Sequence, residues 1–282
     1  MERVAFIINP FSSKKNYHPF LNELKKRVEN PLFIVSESIE HTLDFIKENF
    51  DHVDVFVAMG GDGTISTVAR QIINTNKILA VFPAGSGNGF ANETNFDKNI
   101  STLFSKIKNK KHRSIDTFLV NEQFSINVSG VGFDAEVAKN FEKTSRGFSN
   151  YIKTTINTFF KYKPITITFE EPYKQHNGEY LMVNIANTRQ FGNNAYIAPL
   201  ASTTDGLVDI VLVKKMPFAE TIPFAVRMFN KTLKDNKYLT YISTKEISFS
   251  VNSNTWHLDG EYKEIASPVA IKVLPNSLRI LV

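Results

Sequence analysis

The chain has 282 residues, 42% of them hydrophobic and 22% charged, a balance that supports a buried core and excludes disordered, collagen-like and low-complexity architectures. At roughly 150 residues per domain, the length suggests two domains. There is no cysteine, which removes disulfides, thiolate metal sites and cysteine nucleophiles. Thirty-three Lys and Arg against 28 Asp and Glu leave a formal charge of +5. That is far from a nucleic-acid-binding arm, so no nucleic-acid partner is expected; it suits solubility, or attraction to anionic substrates or an anionic membrane leaflet. No apolar run approaches the roughly 18 residues that span a bilayer. The run Val4 to Ile8, cut short by Asn9-Pro10, is too short for a signal peptide, and the expected compartment is the cytoplasm. The 24 phenylalanines are read as an aromatic-rich core.

In chain order, Val4 to Ile8 is an apolar run of strand length, followed by the loop Asn9-Pro10-Phe11-Ser12-Ser13-Lys14. Tyr17 to Glu29 carries Phe20, Leu21, Leu24 and Val28 at helical spacing. Leu32 to Val35 reads as a strand, His41 to Phe50 as a helix, and Val53 to Met59 as a strand ending at Gly60-Gly61. Thr64 to Ile73 follows as a helix and Ile78 to Phe82 as a strand ending at Pro83-Ala84-Gly85. Buried strands alternating with helices predict a parallel α/β sheet. Beyond about residue 115, short stretches rich in Val, Ile, Phe and Thr predict strands: Phe118 to Val120, Phe124 to Val128, Ile165 to Phe169, Tyr180 to Ala186 and Val208 to Val213. Two helices interrupt them, Asp134 to Phe160 (broken near Gly147) and Phe218 to Leu233, and the tail adds strands at Ile247 to Val251, Trp256 to Leu258, Val269 to Leu274 and Leu278 to Val282. We read residues 1–117 as an α/β domain and 118–282 as a mainly antiparallel β domain, with the final strand able to pack back on the first.

The strongest chemical signal is Gly60-Gly61-Asp62-Gly63-Thr64 between a buried strand and a helix. A strand opening into a helix presents free N–H groups and a positive dipole end, a site for phosphate. Glycines let the backbone approach such a ligand closely. The charge of Asp62 repels phosphate, so its carboxylate suggests a Mg²⁺ ligand or a base near the reacting phosphate; the alternative is a helix cap. A second glycine-rich turn, Pro83-Ala84-Gly85-Ser86-Gly87-Asn88-Gly89-Phe90-Ala91, follows the next strand. The loop after the first strand offers the Asn9 amide, the Ser12 and Ser13 hydroxyls and the Lys14 ammonium. Three such loops on one sheet edge make a nucleotide site the economical explanation. Near the far end, Asp259-Gly260-Glu261 sets two carboxylates around one glycine after Trp256-His257-Leu258. His257 lacks a second histidine or carboxylate at metal-ligand spacing and is not read as a ligand.

Gly60–Thr64, the Pro83–Ala91 loop, Gly130–Glu136 and Asp259–Glu261, in this order and spacing, resemble the diacylglycerol kinase catalytic family of lipid kinases, which also contains sphingosine and ceramide kinases. The resemblance runs over essentially the whole chain. It implies an N-terminal α/β domain and a C-terminal β-sandwich, with the active site in the cleft between them. It implies ATP and Mg²⁺, with Asn9, Ser12, Ser13, Lys14, Gly60, Gly61, Gly63, Thr64, Gly85, Ser86 and Asn88 around the nucleotide and Ser36 as a further hydroxyl contact. Glu261 matches the general base of bacterial members, Asp62 the aspartate near the catalytic Mg²⁺, and Asp116 another acidic member of that network. Asp205, with Ser202 and Leu207, matches a structural Mg²⁺ site, and Asp134 and Asp259 are assigned to the acceptor. The implied partners are ATP and a lipid, met transiently at the inner membrane surface, where Phe218 to Leu233 reads either as an interfacial helix or as a core-facing one; a homodimer is allowed. Two features depart from the pattern: Gly89 stands where bacterial members usually carry Asp, and Ser13 where glycine is common. The competing readings are an NAD kinase, which shares the glycine motif but has no role for Asp259-Gly260-Glu261, and a non-catalytic nucleotide- or lipid-binding protein.

Overall fold

The structure, a computed structural model, describes residues 3–12, 16–142 and 148–282. The chain forms two compact units, one of Met1–Ile115 with Asn276–Val282, the other of Asp116–Pro275.

In the first unit, β1 (Val4–Ile8), α1 (His18–Arg27), β2 (Leu32–Val35), α2 (Ile39–Asn49), β3 (Val55–Gly60), α3 (Asp62–Ile72) and β4 (Ile78–Pro83) alternate, followed by α4 (Gly89–Glu93) and α5 (Ile100–Asn109). The strands pair in parallel in the order β2–β1–β3–β4. Every residue of β1 and β3 is buried, which is why both read as unbroken apolar runs. Helix α3 buries Ile65, Val68, Ala69 and Ile72, the i, i+3, i+4, i+7 stripe of a helix packed on one face. Register sets Ile8 beside Met59 and Gly60 beside Pro83, so the loops after β1, β3 and β4 leave from one carboxyl edge.

The second unit begins within β5 (His112–Val120) and continues through β6 (Gln123–Ser125), β7 (Val128–Gly132), α6 (Phe133–Glu142), α7 (Phe148–Lys161), β8 (Ile165–Phe169), β9 (Gly178–Tyr180), β10 (Met182–Ala186) and β11 (Val208–Val213). Helix α8 (Phe218–Phe229), β12 (Leu239–Thr244), β13 (Glu246–Val251), β14 (Thr255–Leu258), β15 (Glu261–Glu264) and β16 (Val269–Leu281) complete it. One antiparallel sheet runs β12–β11–β10–β7–β14–β15. The other layer has β16–β13–β8–β9 with β5 and β6 attached. Val131, Val183, Ile185, Leu212 and Trp256 from the first layer meet Phe118, Ile167, Phe249 and Ile271 from the second in one core. On the opposite face of the first sheet, Val128, Met182, Ala186 and Val213 pack on Ile197, Ala198 and Met216. This is the α/β plus antiparallel β architecture that the sequence pattern predicts.

Four local expectations change. The single strand expected over Phe124 to Val128 is broken at Ile126-Asn127 into β6 and β7. Tyr180 to Ala186 splits into β9 and β10, which belong to different sheets. The two tail strands are one, β16, whose early residues pair with β13 and whose Arg279 and Ile280 pair in parallel with β4. Helices α4 and α5 and strands β12 and β15 carry no apolar pattern that the sequence reading registered, and the break near Gly147 lies outside the described residues.

Trp256 is fully buried in the inter-sheet core, whereas Leu200 is 93% exposed. Trp256→Ala should cost about 3–5 kcal/mol through lost burial and an unfilled cavity, while Leu200→Ser should stay within about 0.5 kcal/mol. Urea unfolding checks both, and equal midpoints would contradict the placement of the core.

Candidate active site

Two glycine-rich loops of the first unit meet main chain to main chain at Gly61 and Gly85. A Cβ on Gly85 would stand 2.5 Å from the Gly61 Cα, and one on Gly61 would stand 3.2 Å from the Gly85 Cα. Gly61 is also the N-cap of α3 and brings no side chain to it, so the positive end of α3 opens beside Gly85 through main-chain N–H groups. Asp62 turns away from its own helix: its Oδ2 accepts the Gly89 N–H at 3.1 Å and its Oδ1 the Phe90 N–H at 3.0 Å. It is a helix cap, but for α4. Asn88, in the left-handed region with φ 49°, accepts the Gly85 N–H at 2.8 Å through Oδ1 and donates to the Gly85 carbonyl through Nδ2 at 2.9 Å. The first loop joins them, since Asn9 Nδ2 donates to Thr64 Oγ1 at 2.7 Å.

The structure therefore brings Asn9, Gly60, Gly61, Asp62, Gly63, Thr64, Gly85 and Asn88 together, with Ser86 exposed at the tip of the second loop. Several have internal partners rather than ligand-facing groups: Asn9 and Thr64 bond each other, and Asn88 closes on Gly85. Ser12 is buried. The buried hydroxyl of Ser36 donates to the Ser38 carbonyl at 2.8 Å and lies 2.7 Å from Thr42 Oγ1, at the start of α2. Ser13 and Lys14 lie outside the described residues.

In the second unit, Asp259 and Gly260 form a two-residue hairpin turn with φ of 52° and 88°, flanked by the pair Leu258↔Glu261. Positive φ at both turn positions is what Asp-Gly supplies in a type I′ hairpin. Asp259, the second residue assigned to the acceptor by the resemblance, is buried. Its Oδ1 accepts from Ser125 Oγ at 2.7 Å, the Asn127 N–H at 2.8 Å and the Ile126 N–H at 3.2 Å. This buried carboxylate is what interrupts β6 and β7. Glu261 next to it is exposed, with its Oε2 4.0 Å from Lys263 Nζ.

Asp134, assigned to the acceptor by the resemblance, has a side chain only 10% exposed. Its Oδ2 lies 2.8 Å from His257 Nε2 and accepts from Asn184 Nδ2. Burial, then the charges of Asp134 and Glu136, push the nearby Tyr162 hydroxyl above its usual range. Asp116 is fully buried; its N–H donates to the Thr203 carbonyl and its Oδ2 accepts the Gly206 N–H, each at 2.7 Å. These two contacts clasp the 203–206 turn. Asp205 sits exposed on that turn and accepts the Leu207 N–H at 3.0 Å. Burial and, less strongly, the Asp205 charge raise the Asp209 carboxyl. His257, not read as a ligand from the sequence, is buried between Asp134 and Gly260, and the distance of Asp134 in the chain hid that partner from sequence reasoning.

Residues 3–120 match the family model described as the diacylglycerol kinase catalytic domain, and residues 127–282 the model described as the YegS C-terminal NAD kinase beta sandwich-like domain. The chain belongs to the diacylglycerol kinase family of lipid kinases. It is 25% identical to the diacylglycerol kinase of Bacillus subtilis strain 168 over 274 residues, covering 93% of this chain and 90% of that protein. The fold matches a crystal structure of a diacylglycerol kinase from Bacillus anthracis strain Sterne with a TM-score of 0.75 at 19% identity, covering 99% and 96% of the two chains.

For a member of this lipid kinase family, the Mg²⁺ question can be put to the residues present. Among the described residues no cluster of three or more His, Asp or Glu could hold a metal by itself. Asp62 fits as a single carboxylate, held on the Gly89 and Phe90 amides, beside the uncapped N-terminus of α3, which suits Mg²⁺ held mainly by phosphates and water. Ser202, Asp205 and Leu207 form an oxygen-only set on one turn, the chemistry that a hard divalent cation takes.

Removing the Asp259 carboxylate strands the Ile126 and Asn127 backbone donors in a buried site, while Ser125 Oγ keeps Ser129 Oγ at 2.8 Å. Asp259→Ala should cost about 3 kcal/mol or more by that count of unpaired donors, and Asp259→Asn, with one acceptor oxygen, should fall between it and the wild type. Chemical denaturation measures this, and wild-type stability in the alanine variant would show that the turn has another anchor.

Proposed function

We propose that the protein is an ATP-dependent lipid kinase that transfers the γ-phosphate of ATP to the hydroxyl of a membrane lipid such as a diacylglycerol or a sphingoid base. The observation that carries this reading is the side-chain-free meeting of Gly61 and Gly85 at the open end of α3. Main-chain N–H groups there can approach phosphate oxygens without a Cβ in the way. Asp62, locked on the Gly89 and Phe90 amides, is the carboxylate assigned to the metal side. When bound, Mg²⁺ offsets the charge that develops on the transferring phosphoryl group. Glu261 is assigned to take the proton of the lipid hydroxyl; its exposure and the Lys263 ammonium within 4.0 Å suit a group that must ionise and exchange protons with water.

The acceptor of such an enzyme sits in a bilayer, and the second unit has a surface suited to it. Along α8, Phe218, Ile222 and Val226 follow one another at helical spacing and are each more than half exposed. Ile156 and Phe160 of α7 extend the patch, with the Phe160 and Phe218 rings 5.2 Å apart. Exposed Lys161, Lys163, Lys214 and Lys215 neighbour it in the chain. Phe224 and Met228 pack instead on the core, so α8 has one core-facing side and one apolar outer side. Among the described residues no helix is long and apolar enough to cross a membrane. The reading is of a peripheral enzyme at the anionic inner membrane surface, bound by apolar insertion with lysines around it.

A radiolabelled-ATP assay across a panel of hydroxylated lipids in micelles, with NAD as a soluble control, tests the activity. Glu261→Gln keeps the shape but cannot take the proton, so turnover should fall by roughly 10²–10⁴-fold, the range for a positioned base, with ATP binding near normal. Full lipid phosphorylation by this variant would remove Glu261 from its role, and phosphorylation of NAD alone would establish the NAD kinase alternative.

The membrane surface is tested by sedimentation with phosphatidylglycerol vesicles. The Phe218→Ser, Ile222→Ser double variant should lose most vesicle binding while keeping ATP affinity; undiminished binding would place the docking surface elsewhere.

A further inference from the structure

The buried pair His257 and Asp134 has no part in the phosphoryl transfer proposed above, yet it touches the turn that carries the candidate base. His257 Nδ1 lies 3.3 Å from the Gly260 nitrogen and accepts its N–H, and Nε2 lies 2.8 Å from Asp134 Oδ2. A neutral imidazole has one proton; if Nδ1 accepts, that proton is on Nε2 and is donated to the carboxylate. Both side chains are at most 10% exposed.

This arrangement is built by the sheet. Asn184 pairs with Gly130, and Gly130 with His257, so the three stand in one row across β10, β7 and β14. The middle position has no side chain. A Cβ at Gly130 would lie 2.6 Å from Asp134 Oδ2 and would collide with Asn184 Nδ2. Asp134, in the first turn of α6, fills that space and is held there by Asn184. The outward oxygen of the same amide, Asn184 Oδ1, is buried and has no hydrogen-bond partner among the described residues. Burying a carboxylate and an imidazole costs desolvation free energy that an apolar pair of the same volume would not. What the pair supplies is direction: it fixes the imidazole so that one lone pair aims at Gly260.

We infer that His257, oriented by Asp134, is a positioning residue that holds the Gly260 amide and thereby sets the backbone from which Glu261 projects. Its effect on turnover rests on the lipid-kinase reading; its effect on the turn does not. The turn is then clasped twice, by the Asp259 carboxylate on residues 125–127 and by His257 on Gly260, while the Glu261 side chain stays in water.

Two substitutions separate orientation from bulk. An asparagine oxygen can occupy the place of Nδ1, whereas a glutamine amide reaches the place of Nε2 and leaves Gly260 without an acceptor. Amide hydrogen exchange and ¹⁵N spectra of the full-length protein read the turn directly. The wild type should show His257 protonated at Nε2 and a protected Gly260 amide; His257→Asn should keep that protection and His257→Gln should lose it. In the lipid kinase assay, kcat should fall about 10- to 100-fold in His257→Gln, the scale of a misplaced catalytic group, with KM for ATP unchanged and with recovery in His257→Asn. A Gly260 amide equally protected in all three, an Nδ1–H tautomer, or equal losses of kcat in both variants would overturn the inference. A wild type that phosphorylates no lipid, yet shows the expected tautomer and exchange pattern, would overturn the functional reading alone.

Discussion

Gly61 and Gly85 meet main chain to main chain, and a single methyl group at Gly85 would stand 2.5 Å from the Gly61 Cα. Everything that the first unit can offer a phosphate follows from that approach. The opening of α3 lies at one of the two glycines and the Asn88 ring on Gly85 shapes the other. Asp62 ties the second loop down by giving one oxygen to each of the first two amides of α4. A valine at Gly61, the obvious probe of phosphate binding from sequence, would therefore press on Gly85 as well and disturb the loop packing it was meant to leave alone.

The same chemistry recurs in the second unit. Asp259 takes two backbone amides and a serine hydroxyl, and Asp116 takes the Gly206 amide. A carboxylate leaving water loses hydration, and charge-assisted bonds from N–H donors replace it. Such a group can anchor loops that have no regular ladder of their own. Aspartates that stand out in a sequence as candidate chemistry are thus used twice over, as negative charge near a site and as acceptors that hold the site's backbone. Glu261, at the start of the polar strand β15, keeps its carboxylate mainly in solvent, as Asp205 does.

Where local pattern decides structure, the sequence was readable. The strands Val4–Ile8, Leu32–Val35, Ile165–Phe169 and Val208–Val213 have the bounds that their apolar runs predict, because burial on one or both faces leaves a periodic mark. The glycine loops were readable as strand-to-helix turns because strand, turn and helix follow within a few residues. What was lost depends on distant partners. Ile126-Asn127 breaks a run of strand-forming residues since Asp259, more than 130 positions later, takes both amides. Tyr180 and Met182 part into two sheets although no turn residue separates them. His257 and Asp134 are 123 positions apart, and nothing near either one announces the other. Helix α8 defeats a choice between core-facing and interfacial, as it carries apolar residues on both sides.

A general base has conflicting needs. Its carboxylate must pass its proton on, so it keeps a path to solvent, yet it must return to one place, so it cannot ride on a loose loop. The turn at Asp259-Gly260 meets both demands by dividing them along the backbone. The two turn residues adopt positive φ, which confines the path of the chain, and their polar atoms are committed inward to Ser125, Ile126, Asn127 and His257. The next side chain, Glu261, is then free to stay wet while its Cα is fixed from below. Rigidity at the main chain with solvent at the tip suits the proton acceptor that Glu261 is proposed to be, and here it comes from the inward contacts of Asp259 and Gly260.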